Sequence, residues 1–136
     1  MRNLWLWIIV LFWGGVIYYF GGAGFGRAKT QALIDRFRKN PAIWNFLDRH
    51  HGKFRAAFHY FEFGLCFFIL YLAVTAGSLE WSYLRGLGVW LVTGILAFLD
   101  ELHQKRTGGR CFRRIDLFHS LLGDTLVMLL VFLGNL

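Results

Sequence analysis

Proline and cysteine are almost missing from this sequence and acidic residues are scarce: its 136 residues hold 1 Pro, 2 Cys and 8 Asp or Glu against 15 Lys or Arg. Cys66 lies inside an apolar run and Cys111 in a basic connection, so their placement argues against a disulfide between them. The shortage of acid leaves a formal net charge of +7. The basic residues are nevertheless dispersed between hydrophobic runs and form no single stripe, which argues against nucleic acid as a partner. Charged residues of both signs make up only 17% of the chain, and apolar ones 57%. The mean hydropathy of +0.47 exceeds that of an ordinary soluble domain. Aromatics, at 19% with 6 Trp and 15 Phe, suit a bundle that keeps Trp and Tyr near lipid headgroups.

Four apolar segments stand out, at about residues 4–20, 56–76, 80–99 and 117–136. Each is near the ~20 residues needed to cross a hydrocarbon core of ~30 Å. The first follows a single basic residue, Arg2, as a signal peptide would, but Tyr18, Tyr19 and Phe20 stand where a cleavage site needs small residues. It is therefore expected to be retained. The pattern predicts an all-α, single-domain integral membrane four-helix bundle over residues 1–136. Between the first two spans, Leu33, Ile34 and Phe37 share a helical face, as in an amphipathic helix lying in the interface. Asn40 and Pro41 then read as a cap and first-turn pair opening a second short helix with Ile43, Trp44, Phe46 and Leu47.

Lys and Arg number one before the first span, eight over residues 21–55, one over 77–85 and five over 100–115. The positive-inside rule then places the first and third connections in the cytoplasm.

Polar residues recur where the membrane makes them costly. Arg55, His59, Glu62 and Cys66 fall at i, i+4, i+7 and i+11, one stripe of the second helix. Asp100, Glu101, His103 and Gln104 close the third, with Asp100, His103 and Gln104 on one face if the helix continues. Gly108, Gly109 and Arg110 provide a turn with a planar cation, after which Asp116, Ser120 and Gly123 share a face of the fourth helix. Asp124 lies about 12 Å into that helix at ~1.5 Å per residue, where a carboxyl must be neutral, paired or beside water. Charged groups inside a membrane usually face the bundle interior or a wet cavity. All these stripes are expected in one layer at one membrane side.

These residues resemble the VanZ-like family of membrane proteins, named after one associated with teicoplanin resistance. The resemblance rests on Arg55, His59 and Glu62 as R-x-x-x-H-x-x-E, on Asp100, Glu101, His103 and Gln104 as D-E-x-H-Q, and on Gly109 and Arg110 followed by Asp116 and Gly123. It implies a multi-pass protein of the bacterial cell membrane linked to envelope stress or glycopeptide resistance. The chain departs from the family pattern at Gly108, where Pro is common, at Ser120, where Asn is common, and at Gly21 to Gly24, where a serine-containing stretch is common.

Three readings of the polar layer follow. The first is a brace, in which Arg55 and Arg110 pair with Glu62, Asp100, Glu101 or Asp116 and only lock the helices. The second is recognition of an anionic membrane lipid or lipid-linked headgroup by Arg55, Gln104 and Arg110, with Asp116 and Ser120 beside them. A cytoplasmic layer would exclude a glycopeptide itself as direct ligand. The third is a metal-assisted or acid/base hydrolase with His59, Glu62, Asp100, Glu101 and His103 as its catalytic groups. The spacing matches no strong metal motif and names no cofactor. A second copy or another membrane protein stays open as a partner. His50 and His51 read as solvated, His119 as a local partner of Asp116, and Cys66 as a packing residue.

Overall fold

Helices form along the apolar runs because nothing in them interrupts the backbone ladder. Pro41 is the sole proline and stands at the start of a helix, where its missing N–H costs nothing. The computed structural model describes residues 3–22, 31, 32, 34–107 and 112–135. Among the described residues the long helices are α1 (Leu4–Gly21), α2 (Pro41–Val74), α3 (Tyr83–Arg106) and α4 (Arg114–Leu133), with no strand. All four are long and apolar enough to cross a membrane. Leu11, Phe12, Leu84 and Leu130 are exposed on them, an arrangement that lipid stabilises and water does not. The chain is a multi-pass, all-α membrane protein.

The Asn40 side chain accepts from Ile43 N at 3.4 Å and Pro41 follows it, as the cap reading expects. The helix so opened does not stop. It runs 34 residues to Val74, so the segment read as a separate short helix forms the first turns of α2. Gly52, the one glycine in its polar part, has open space around it and only lowers local propensity. Residues 31, 32, 34 and 35 are helical, but 36–39 form a turn, so of the apolar face expected there Ile34 is buried while Phe37 is exposed beyond the helix. That stretch folds against α2, with Trp44 Nε1 donating to Asp35 Oδ1 at 3.4 Å. Leu33 lies outside the described residues.

The most extensive helix pair is α2 with α4, and two glycines set its separation. A Cβ on Gly123 would collide with the Tyr60 carbonyl oxygen and stand 2.9 Å from Tyr60 Cα. One on Gly64 would lie 3.2 Å from the Gly123 oxygen. Small residues of this kind let backbones approach in lipid, where packing rather than water exclusion drives association. Phe67, Leu70, Tyr71, Val89 and Val131 fill one half of the core, and Ile17, Phe63, Cys66 and Ala97 the other.

The end of the bundle that carries Val74 is closed by aromatics and one amide. Tyr71 stacks on Trp81 at 5.9 Å between centroids and donates to Glu80 O at 2.6 Å. Gly86 has no side chain, and the Trp81 ring occupies the room. Asn135 accepts from Trp81 N at 3.0 Å and donates to Leu79 O at 2.8 Å, tying the chain after α4 to the α2–α3 connection. That connection turns through Ala76 (φ 61°) and Gly77 (φ 85°), with Gly77 N donating to Leu72 O at 2.7 Å.

Candidate functional site

At the opposite end, the polar stripes read from the sequence converge. On α2 the inward face carries His59, Glu62 and Cys66 in series, with Arg55 one turn earlier and partly exposed. On α4 it carries Asp116, Ser120, Gly123 and Asp124. Helix α3 continues past Leu99 to Arg106, which brings Asp100, Glu101 and Gln104 onto its buried face. His103 lies at the edge of that face, half-buried, with its ring 4.3 Å from Tyr18 of α1. The inward stripe of α3 runs through Thr93, Ala97, Asp100, Glu101 and Gln104, so its axis passes between Asp100 and Glu101 and favours Glu101 over His103.

Direct links join the helices. Arg55 Nη2 of α2 donates to Asp116 Oδ2 of α4 at 2.5 Å, and Arg113 Nε lies 3.8 Å from the same oxygen. His59 Nδ1 and Ser120 Oγ are 3.4 Å apart, while Ser120 Oγ donates to Asp116 O at 3.1 Å. Glu101 Oε2 accepts from Arg113 N at 3.0 Å, which gives a carboxylate to an N–H at the start of α4. Its other oxygen, Oε1, is buried and has no hydrogen-bond partner among the described residues. Gln104 Nε2 donates to Asp100 Oδ2 at 2.6 Å, and the Asp100 carboxyl fills the space that a side chain on Gly21 would need. Trp13 Nε1 donates to Glu62 O at 3.0 Å, which fixes α1 against the same layer.

One subset stands closer than the rest. Ligand atoms of His59, Glu101 and Asp116, one from each of α2, α3 and α4, all lie within 4.8 Å of one another. All three residues are buried, at 5%, 1% and 2% exposure. Glu62, Asp100, Glu101 and Asp116 are buried carboxyls, and Arg55 and Arg113 both approach Asp116. Arg110 lies outside the described residues, as do Gly108, Gly109 and Cys111.

Several participants were not singled out from the sequence. Arg113 was missed although it stands three residues before Asp116, the spacing of a helical ion pair. Trp13 carries no signal, because an indole in an apolar helix reads as packing. Thr93, fully buried on α3, was missed for the same reason; it faces Asp124, and its hydroxyl is turned to the Val89 and Trp90 carbonyls at 3.1 and 3.2 Å. Cys66 packs among Ile17, Phe63 and Ala97, as expected of a buried thiol. His119 meets Tyr60, with centroids 5.1 Å apart.

Set beside family models, curated proteins and solved structures, the chain matches none of them.

Proposed function

We propose that this chain is a VanZ-like protein of the bacterial cell membrane whose polar layer binds an anionic lipid or lipid-linked headgroup of the envelope. The observation that carries the reading is the depth of the layer. Arg55 lies 19 residues before Val74 on one continuous helix, about 28 Å at ~1.5 Å per residue, against a hydrocarbon core of ~30 Å. His59, Glu101, Asp116 and Ser120 therefore sit just inside the headgroup region. The described basic residues of the first and third connections, among them Lys53, Arg55, Lys105 and Arg106, lie at the same end of the bundle and add attraction for anionic lipid of about 1 kcal/mol each. Gln104 and Arg110 complete the proposed headgroup contacts, and the charge bias supports a cytoplasmic orientation of this end.

The test uses the full chain in nanodiscs. Wild type is expected to prefer phosphatidylglycerol over phosphatidylcholine, and Gln104→Ala and Arg110→Gln to lower that preference several-fold while keeping helicity. Equal preference in wild type and both folded variants would overturn the reading. For the orientation, a single cysteine at position 53 should resist an impermeant reagent applied to intact cells.

A second reading, acid/base hydrolysis of a lipid-linked substrate, is favoured by His59 lying among carboxyls beside the Ser120 hydroxyl. Release of headgroup phosphate from lipid would separate hydrolysis from binding.

A further inference from the structure

Carboxyls packed in a low-dielectric layer need a counter-charge or a hydrogen-bond partner. Glu101 and Asp116 are at most 2% exposed, and Asp116 is bonded to Arg55, with Arg113 Nε 3.8 Å away. Glu101 is 1% exposed, and its Oε1 has no hydrogen-bond partner among the described residues. A buried acceptor left unmatched is costly. A ligand atom of the same carboxyl group lies within 4.8 Å of one from the His59 imidazole and one from the Asp116 carboxyl, a grouping that points to a cation.

We infer that His59, Glu101 and Asp116 form a divalent-cation site that joins α2, α3 and α4, taking a first-row metal such as Zn²⁺ or Mn²⁺. Three observations carry the inference together. The ligand atoms lie within 4.8 Å of one another. Metal–ligand distances of ~2.0–2.2 Å separate two ligands by about 3.4 Å in a tetrahedron and at most about 4.4 Å across a metal, so closing on an ion asks for small side-chain movements. The donor set is one imidazole and two carboxylates, which suits Zn²⁺ or Mn²⁺ better than the oxygen-only preference of Mg²⁺ or Ca²⁺. Ser120 Oγ stands 3.4 Å from His59 Nδ1, so that ligation through Nε2 would leave the ring oriented by the serine.

Asp116 serves both Arg55 and the ion, because an ionised carboxylate has two oxygens and about four acceptor sites. Three protein ligands leave a coordination position for water or for an oxygen of a headgroup. The inference concerns the same layer as the headgroup reading but does not depend on it.

The test is made on the full chain in detergent, stripped with a chelator and returned to Zn²⁺ or Mn²⁺ without added lipid, so that it fails or succeeds apart from lipid preference. Metal content by mass spectrometry should reach about one ion per chain. Substitution with Co²⁺ should give visible bands that report nitrogen and oxygen ligation. His59→Ala and Glu101→Gln should each weaken binding at least about tenfold, a lower bound set by what even outer contacts contribute. His50→Ala, on the solvated turns of α2, should bind as wild type does. Glu101→Gln keeps an oxygen for the Arg113 N–H and so carries the test if His59→Ala misfolds. A folded wild type that takes up neither metal, or a folded Glu101→Gln that binds as tightly as wild type, would overturn the inference.

Discussion

Gly123→Ala is the perturbation whose consequence the coordinates define most sharply. The added methyl would stand 2.9 Å from Tyr60 Cα and 3.0 Å from its carbonyl carbon, and would collide with the carbonyl oxygen. All three atoms are backbone, so no rotamer change relieves the contact. Moving carbons from 2.9 Å to an ordinary separation of about 3.5 Å pushes α2 from α4 by roughly half an ångström. Overpacking of this sort costs about 1–3 kcal/mol. Ala also gains up to about 1 kcal/mol of helix propensity over Gly, which partly offsets the strain. The proper comparison is therefore Gly88→Ala, at an exposed position of α3 with nothing within 4 Å, where only the propensity gain applies. The two variants should differ in unfolding free energy by about 1–3 kcal/mol. Reversible unfolding in mixed micelles, followed by helical circular dichroism, measures that difference. Equal stability of the two variants would refute the claim that backbone contact at Gly123 sets the α2–α4 separation.

Breaking the Arg55–Asp116 pair should cost more when one partner is removed than when both are. Arg55→Gln leaves a 3%-exposed carboxyl without its main partner, a loss of about 3 kcal/mol, and adding Asp116→Asn should recover most of it in a double-mutant cycle. Ala76→Gly should raise stability by up to about 1 kcal/mol, because Ala76 holds φ 61° where glycine pays no Cβ penalty. A fall in unfolding midpoint for that variant would mean that the Ala76 methyl contributes packing that outweighs the strain.

The stripes on α2 and α4 were legible because helical periodicity fixes which side chains share a face: His59 with Glu62 and Cys66, and Asp116 with Ser120 and Gly123. The pairings between stripes were not. Arg55 meets Asp116 because Gly64 and Gly123 set the axial register of α2 on α4, and glycine in an apolar run carries no mark of its partner. The length of α2 was hidden for another reason. Charges over residues 48–55 mark where lipid ends, and a helix has no need to end there, since its hydrogen bonds are internal. On α3 the choice between Glu101 and His103 turned on a rotation of two residues, which alternation of polar and apolar positions near a helix end does not resolve.

The unbroken length of α2 has a mechanical consequence. At 34 residues and ~1.5 Å each it is about 51 Å long, some 20 Å more than a hydrocarbon core of ~30 Å. Its far end is fastened by Tyr71, Trp81 and Asn135, so the excess stands beyond the polar layer as a rigid post. The layer is therefore held at a fixed distance from the opposite face of the bilayer. With the layer at the depth proposed above, a thicker membrane would draw these carboxyls into the lipid tails and a thinner one would lift them to the water, which makes bilayer thickness a variable that sets how they are solvated.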